Sequence, residues 1–262
     1  MLPNPWDAGS ARYLQHLGFR ALATTSAGAA FSLAIPDGRV PRDDMLSHIR
    51  ALVEATDLPV NADFGSGFAD DPGGVAENVR RCVATGVAGL SIEDGTGRRA
   101  TPLYEIEVAA ARVRAARKAI DESGEDVVLT GRAEGFLVGD SDLDGVIRRL
   151  RAYAEAGADC LFAPGITTRD QITAVVAAVA PKPVNVLVLP SARLSVEDFA
   201  ALGVSRLSTG SGLARAAWGG FIRAAREIAT AGRFDALDEA TPHAELDRFF
   251  REDLKRRPDR SR

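Results

Sequence analysis

The nine residues Gly86–Asp94 read Gly-Val-Ala-Gly-Leu-Ser-Ile-Glu-Asp and place three features of a fold in a row. An amphipathic stretch ends at Gly86, an apolar run follows within a few residues, and that run closes on Glu93 and Asp94. A glycine at the end of a helix can adopt the left-handed conformation that leads into a strand. The stretch therefore predicts a helix, then a buried strand, then two carboxylates at the carboxyl end of the strand.

The same junction recurs along the chain. A glycine followed four residues later by a leucine opens apolar runs at Gly18–Leu22, Gly157–Leu161 and Gly203–Leu207. Proline opens two more runs, at Pro59 and Pro183, where its missing N–H does little harm to the first strand position. The runs are continuous rather than alternating, which indicates burial on both faces and a parallel sheet covered by helices.

The number of predicted strands favours a closed sheet. Strands are expected at residues 2–3, 21–26, 58–63, 88–93, 126–132, 159–163, 184–189 and 204–208. The clearest predicted helices are 44–55, 75–85, 103–122, 143–156 and 212–230; the helix over 143–156 is expected to turn Arg149 towards solvent. Eight strands predict a (β/α)8 TIM-type barrel, and seven firm ones would also allow an open doubly wound sheet.

Composition narrows the class of protein. The chain has 262 residues, 46% apolar and 26% charged, with a formal net charge of -4. This balance argues against a disordered chain and against a basic nucleic-acid-binding domain. Cys82 and Cys160 form no CxxC pair, and no apolar run is long enough for a membrane span. We expect a cytoplasmic protein with neither nucleic acid nor membrane as partner.

The last part of the chain differs from the rest. A barrel domain is expected over residues 1–232, followed by a tail over 233–262 that is polar, with Leu246, Phe249 and Phe250 as its apolar stripe. The tail is either frayed or a helix that docks on a neighbouring subunit.

Ligands of α/β barrels bind at the carboxyl ends of the strands, so the polar residues there are the candidates for chemistry. They are Ser26, Asp63, Glu93, Asp94, Arg132, Asn185 and Ser208–Thr209. Carboxylates on two strands and an arginine on a third suit a hard divalent cation, Mg²⁺, beside a carboxylate-bearing substrate. More ordinary roles are also open: Asp63 as a helix or turn cap, Glu93 in an ion pair with Arg98 or Arg99, and Arg132 in an ion pair with Glu134.

Two glycine-containing segments suggest anion sites. Gly95–Ala100 fits the GxGxxA pattern of dinucleotide-binding proteins, which would make the chain a nucleotide-binding oxidoreductase, but the acidic strand end expected about 20 residues later is missing. Ser208–Gly212 opens the predicted long helix and could hold an anion or simply cap that helix.

Several short motifs, taken in order, resemble those of the isocitrate lyase / phosphoenolpyruvate mutase superfamily over about residues 3–220. They are Pro5–Ala11, Ser26–Gly28, Ile35–Asp37, Ala62–Phe68, Ile92–Asp94 and Gly131–Glu134. The resemblance implies a (β/α)8 barrel with Mg²⁺, or Mn²⁺, at the strand ends. It also implies cleavage or formation of C–C or P–C bonds in 2-oxo or 2-hydroxy acids through an enolate-like intermediate, in a homo-oligomer (dimer or tetramer).

The resemblance also assigns roles to residues. Asp63 looks like the direct metal ligand, with Glu93 and Asp37 holding metal-bound waters. Arg132 looks like the clamp on a substrate carboxylate, and Ser26 with the backbone of Ala27 and Gly28 would hold the other end of that carboxylate. Asn185 is a further substrate-binding candidate.

The chain departs from the superfamily pattern in three places. Gly65 stands where a second carboxylate is usual, so a lower metal affinity is expected. The segment 95–102 is short and has no Cys, His or Lys, which leaves Arg98 as the candidate for a second anionic group and Tyr104 and Glu134 as candidate acid–base groups. The chain begins at Met1 without the usual first helix and strand, so the barrel is less well closed at its base or the start is incomplete. The expected function is a Mg²⁺-dependent lyase, decarboxylase or hydrolase; the alternative is a non-catalytic metabolite-binding barrel.

Overall fold

Seven parallel strands form the sheet in this computed structural model, which describes residues 1–140 and 142–257. The strands follow one another in the sheet in chain order. They are β1 Leu22–Ala23, β2 Val60–Asp63, β3 Gly89–Glu93, β4 Val128–Arg132, β5 Cys160–Phe162, β6 Val184–Leu187 and β7 Arg206–Ser208.

Helices alternate with these strands. Within the described residues they are α1 Ala8–His16, α2 Ser26–Ser32, α3 Arg42–Ala55, α4 Pro72–Val83, α5 Ile106–Ser123, α6 Leu143–Glu155, α7 Arg169–Val179, α8 Val196–Ala201, α9 Gly212–Ala231 and α10 His243–Arg256. The predicted helices are present, with ends shifted by a few residues. The glycines that end α1, α4, α6 and α8 all have positive φ, as predicted: Gly18 (86°), Gly86 (86°), Gly157 (102°) and Gly203 (82°).

The segment Leu2–Pro3 bridges the space between the first and last strands. The Leu2 N–H donates to Leu207 O at 2.7 Å, and the Ala23 N–H donates to Pro3 O at 3.1 Å. Leu2 forms a single parallel bridge with Ser208 rather than a full strand. The sheet is thus a nearly closed barrel of the (β/α)8 type, which confirms the predicted fold and excludes the open doubly wound alternative.

The chain divides into two compact units, Met1–Leu213 and Ala214–Arg262. The first contains the barrel. The second contains α10, so most of the predicted tail is helical. Within the second unit the rings of Trp218 and Phe221 lie 5.2 Å apart. The division predicted from the sequence, between residues 232 and 233, falls later in the chain than this one. The last five residues of the predicted tail, 258–262, lie outside the described part of the chain. None of the described helices has the length and apolar character needed to cross a bilayer.

Candidate active site

Asp63, Glu93 and Arg132 are the last residues of β2, β3 and β4. These strands are neighbours, and Glu93 lies opposite Arg132 in the parallel register. The three side chains therefore meet at the carboxyl end of the barrel, as the sequence predicted.

The Arg132 guanidinium lies at the centre of this cluster. Its Nη1 atom is 3.2 Å from Asp63 Oδ1, its Nε atom is 3.4 Å from Glu93 Oε2, and Nε also donates to Glu134. The four side chains are between 11% and 21% exposed. The Arg132–Glu134 pair proposed as an ordinary alternative is present, and it accompanies the contacts with the two candidate metal ligands.

Asp37 reaches the same cluster from the loop after α2. The Ser26 hydroxyl donates to Asp37 Oδ1 at 3.4 Å, and the Ser26 N–H donates to Asp63 Oδ2 at 2.9 Å. The Asp63 N–H is in turn held by Thr24 Oγ1 at 2.8 Å. Asp63 does not cap α4, because Asp71 does so through the Gly74 N–H. The Asp63 carboxylate contacts the start of α2 instead, since Ser26 is the first residue of that helix.

The cluster contains more carboxyl groups than cationic groups, and three of its four carboxyl groups have raised pKa values. The pKa of Glu93 is raised to about 8, mainly by burial and also by the nearby carboxylates of Glu134 and Asp63, which together outweigh the lowering effect of Arg132. Burial likewise raises the pKa of Glu134 and of Asp37. Burial alone would lower the pKa of Arg132, but the surrounding carboxylates raise it, so this guanidinium stays charged.

Two cavities meet at this cluster. The inner cavity, of about 190 Å³, extends into the barrel as far as Asn61 and Arg206. The outer cavity, of about 350 Å³, is lined by the loops that follow β2 and β3. Both are lined by Ser26, Asp37, Asp63 and Arg132.

Only two of the three residues predicted to hold the substrate carboxylate together with Arg132 line a cavity. Ser26 and Ala27 line the inner cavity. Gly28 does not line this cavity, because its N–H donates to Oγ1 of Thr25, the N-cap residue of α2, at 3.2 Å. The expected contact between the Gly28 backbone and a substrate carboxylate is therefore wrong. Asn185 lines the inner cavity, but its amide is already bonded to Ser208 and Arg206.

Arg98 and Tyr104 are turned towards Asp70 instead of the cavities. Arg98 Nη1 lies 3.1 Å from Asp70 Oδ2, and the Tyr104 hydroxyl donates to Asp70 Oδ1. Neither residue is among those that line the inner or outer cavity. The alternative pairing of Glu93 with Arg98 is wrong, because Glu93 pairs with Arg132.

Arg112 was not singled out from the sequence. It extends from α5, is fully buried, and donates to the backbone oxygens of Ser66, Ala69 and Asp70. Its guanidinium also lies 4.1 Å from the centre of the Tyr104 ring. Arg112 therefore fixes the loop that follows Asp63.

A second buried network supports the cluster from behind. Asp94, 2% exposed, accepts from the Glu134 N–H at 2.8 Å, from Arg149 Nη1 at 3.1 Å and from the Tyr153 hydroxyl at 2.5 Å. The expectation that Arg149 faces solvent is wrong, because its side chain is only 14% exposed and its guanidinium pairs with the Asp94 carboxylate. The acidic residue next to Glu93 was the only signal in the sequence for this network.

Of the two anion sites suggested by glycine-containing segments, the first does not form, and the second has two of its backbone N–H groups already engaged. After Gly95–Ala100, helix α5 begins only at Ile106, so the glycines do not open a helix as a dinucleotide site requires. In the segment before α9, the N–H groups of Thr209 and Gly210 donate to Asn4 Oδ1 at 2.8 and 2.9 Å.

Within the described residues, no group of three or more His, Cys, Asp or Glu side chains has the arrangement of a formed metal site. The Arg132 guanidinium lies against Asp63 and Glu93, where a cation would be expected. The donors themselves are carboxylate oxygens, the type that Mg²⁺ and Mn²⁺ prefer.

The parallel barrel, with carboxyl groups and an arginine at its strand ends, defines a (β/α)8-barrel protein whose candidate site lies at the carboxyl end of the strands. The family model for phosphoenolpyruvate phosphomutase matches residues 1–229, and the chain belongs to this family. It is a lyase-like enzyme of the phosphoenolpyruvate mutase / isocitrate lyase superfamily, as the motifs indicated.

Two relatives align with nearly the whole chain. A Burkholderia cenocepacia J2315 protein, provisionally named a lyase/mutase, has a crystal structure that superposes with a TM-score of 0.92 at 50% identity over 95% of this chain and 90% of that one. The uncharacterized protein Rv1998c of Mycobacterium tuberculosis (strain ATCC 25618 / H37Rv) is 31% identical over 94% of this chain and 90% of its own length.

Other relatives have named activities. A phosphonopyruvate hydrolase in complex with oxalate and Mg²⁺ superposes with a TM-score of 0.83 at 26% identity, over 97% of this chain and 91% of that one. Two further relatives are named 2-methylisocitrate lyase (Escherichia coli K12) and oxaloacetate decarboxylase (Bradyrhizobium sp. ORS 278). They are 35% and 36% identical over 62% and 66% of this chain, and the alignments cover 56% and 61% of their own lengths. Members of the superfamily are thus lyases, decarboxylases and hydrolases of small carboxylates.

Proposed function

We propose that this protein is a Mg²⁺-dependent enzyme that cleaves, decarboxylates or hydrolyses a small 2-oxo or 2-hydroxy carboxylic acid through an enolate-like intermediate. One observation carries the proposal. The side chains of Asp63, Glu93 and Arg132, from three adjacent strands, converge where two cavities meet.

The residues present suit a divalent cation. The carboxyl groups of Asp63, Glu93 and Glu134 lie against one guanidinium, and Asp37 lies beside them through its contact with Ser26, so the cluster has more carboxyl groups than cationic groups. Hard carboxylate oxygens are the donors that Mg²⁺ takes, and one or two protein carboxylates are enough. Asp63 would bind the ion directly, and Glu93 and Asp37 would hold its waters. Bound Mg²⁺ would supply the charge that stabilises an enolate oxygen.

Arg132 would bind the substrate carboxylate. A planar guanidinium can donate two parallel hydrogen bonds to a carboxylate. The ring of Phe162 lies 5.2 Å from Arg132 Cζ and limits the orientations of the guanidinium. Ser26 and Ala27 border the same inner cavity and would contact the substrate from the opposite side.

Glu134 is the best-placed group for proton transfer. It lines the outer cavity and contacts Arg132, so it lies beside the proposed carboxylate clamp. Arg98 and Tyr104, the other predicted catalytic residues, are held by Asp70 in this conformation. They would act only after the segment 95–102 moves, and the glycines in it suit such a motion.

The proposal also covers the cellular compartment and the oligomeric state of the protein. Cys82 and Cys160 are buried free thiols, which supports a reducing, cytoplasmic compartment. The helical tail supports a homo-oligomer, either a dimer or a tetramer, in which the tail is exchanged between subunits.

The rival function, a non-catalytic metabolite-binding barrel, draws on Gly65 and on the distance of Arg98 and Tyr104 from the cavities. A turnover screen separates the two. Purified protein is incubated with Mg²⁺ and a panel of 2-oxo and 2-hydroxy acids, and product is followed by NMR. We expect turnover of at least one acid, lost in Asp63→Asn and retained in the exposed matched control Asp126→Asn. Turnover that survives in Asp63→Asn would contradict the metal site, and no turnover across the panel would favour the binding barrel.

A further inference from the structure

The interior of the barrel below the Arg132 cluster contains a second arginine. Arg206, at the start of β7, reaches three other strands across the barrel. Its Nε donates to Asn185 Oδ1 at 3.0 Å, its Nη1 to Asn61 Oδ1 at 3.4 Å, and its Nη2 to Thr130 Oγ1 at 2.8 Å.

All three of these acceptors are neutral. Within residues 1–140 and 142–257, the structure gives Arg206 amide and hydroxyl oxygens as hydrogen-bond acceptors and no carboxylate. A charge taken out of bulk water is costly unless an opposite charge accompanies it. By contrast, Arg132 has three carboxylates against it. The positive charge of Arg206 therefore lies at the inner cavity with no anionic partner among the described residues.

Arg206 also has donors to spare. A guanidinium carries five N–H groups, and the three hydrogen bonds described here use three of them. Arg206 lines the inner cavity, as do Asp63 and Arg132. An anion in that cavity can meet two arginines, one at the mouth of the barrel and one within it.

Asn185 holds Arg206 in place. Its Nδ2 donates to Ser208 Oγ at 3.0 Å, which leaves its Oδ1 to accept from Arg206 Nε. Both ends of the amide are thus engaged, so Asn185 acts on a ligand through Arg206 rather than directly.

We propose that Arg206 binds a second carboxylate of the substrate, so that the substrate is a short 2-oxo or 2-hydroxy dicarboxylic acid. The assignment rests on the proposed function, which places the first carboxylate at Arg132. Two spare donors on one planar guanidinium match the two oxygens of a carboxylate. The role that the sequence suggested for Arg98 thereby passes to Arg206, since Arg98 is paired with Asp70 at the protein surface.

The test compares two ligands that differ only at the second carboxylate, difluorooxaloacetate and difluoropyruvate, and uses oxalate as the reference for binding at the metal site. With Mg²⁺ present, 3,3-difluorooxaloacetate, 3,3-difluoropyruvate and oxalate are titrated by calorimetry into the wild-type protein and into Arg206→Gln, Arg206→Lys and the exposed matched control Arg20→Gln. We expect Arg206→Gln to weaken difluorooxaloacetate binding by about tenfold or more, the effect of losing a charge-assisted hydrogen bond. Oxalate and difluoropyruvate should bind to Arg206→Gln within about twofold of wild type, and Arg206→Lys should keep part of the preference for the diacid.

Each result decides a separate point. Equal weakening of all three ligands in Arg206→Gln would mean a structural role, and no weakening would mean no contact; either overturns the proposal. If Arg206→Gln does not fold, the wild type alone decides, because equal affinities for difluorooxaloacetate and difluoropyruvate contradict a second carboxylate site. Failure of the wild type to bind oxalate in the presence of Mg²⁺ would instead overturn the proposed function, and the dicarboxylate assignment with it.

Discussion

The Nη1 atom of Arg132 lies 3.2 Å from Oδ1 of Asp63, although the two residues end strands that are separated by β3. The guanidinium thus neutralises the carboxylate that we propose as the direct metal ligand. Binding of a cation to Asp63 would compete with this contact and free Arg132 for the carboxylate of the substrate. Metal and substrate carboxylate are therefore expected to bind cooperatively.

Removing the Arg132 charge should destabilise the protein mainly when metal is absent. In Arg132→Met the partly buried carboxylates lose their counter-ion, and we expect the free energy of unfolding to fall by about 3 kcal/mol. Millimolar Mg²⁺ should recover part of this loss, because the ion replaces the missing positive charge. Urea denaturation with and without Mg²⁺ measures both effects, with Arg20→Met as the exposed control. A loss that does not respond to Mg²⁺ would argue against a cation site.

Arg112 should matter for the loop that carries the site. Arg112→Met leaves the backbone oxygens of Ser66, Ala69 and Asp70 without their donor, and a loss of about 3 kcal/mol in unfolding free energy is expected. Amide hydrogen exchange over residues 65–71 should become faster. Arg114→Met, an exposed change in the same helix, is the matched control. Unchanged exchange in this loop would show that Arg112 does not fix it.

Asp94, Arg149 and Tyr153 should behave as one unit. Tyr153→Phe removes one hydrogen bond and should cost about 1 kcal/mol, whereas Asp94→Asn leaves the partly buried Arg149 without its ion pair and should cost about 3 kcal/mol. Because the two residues share a network, the double variant should lose less than the sum of the single losses. Chemical denaturation of the four proteins gives the coupling, and strictly additive losses would contradict the network.

His48 should make the protein less stable in mild acid. Burial lowers the pKa of His48, against a raising effect of Asp7, and the Nε2 atom finds no hydrogen-bond partner among the described residues. The unfolded chain, with a histidine pKa of about 6.5, then binds more protons than the folded one. The stabilisation is present above that pH and is lost as pH falls through it.

Denaturation at pH 5.5 and 7.5 checks the His48 prediction. The stability difference between the two pH values should be smaller in His48→Gln than in the wild type. Identical differences in the two proteins would show that another group is responsible.

Much of the fold follows from local sequence. Local sequence marks where helices end and strands begin. A glycine ends each of α1, α4, α6 and α8, and an apolar run that forms a strand follows it. Because this helix–turn–strand unit repeats, the sequence indicates a sheet of successive parallel strands. Closure was harder to predict, since Leu2 and Pro3 join the barrel through single hydrogen bonds to β7 and β1 rather than through a strand of their own.

The site was predictable where it lies at strand ends and not where it depends on long side chains. Asp63, Glu93 and Arg132 follow apolar runs and could be placed together. Arg112 and Arg149 reach buried acceptors from helix positions that look solvated, and Arg206 starts a strand on the inner face of the barrel. The spacing of charges in a sequence does not show which way such a side chain extends.

The central claim is a Mg²⁺-dependent site for a small carboxylate, and calorimetric titration of oxalate tests it most directly. Oxalate resembles the enolate of a 2-oxo acid in charge and shape. We predict binding in the presence of Mg²⁺, loss of binding with excess chelator, and loss of binding in Asp63→Ala. Binding that is equally strong with chelator or in Asp63→Ala, or no binding under any of these conditions, would contradict the proposed site.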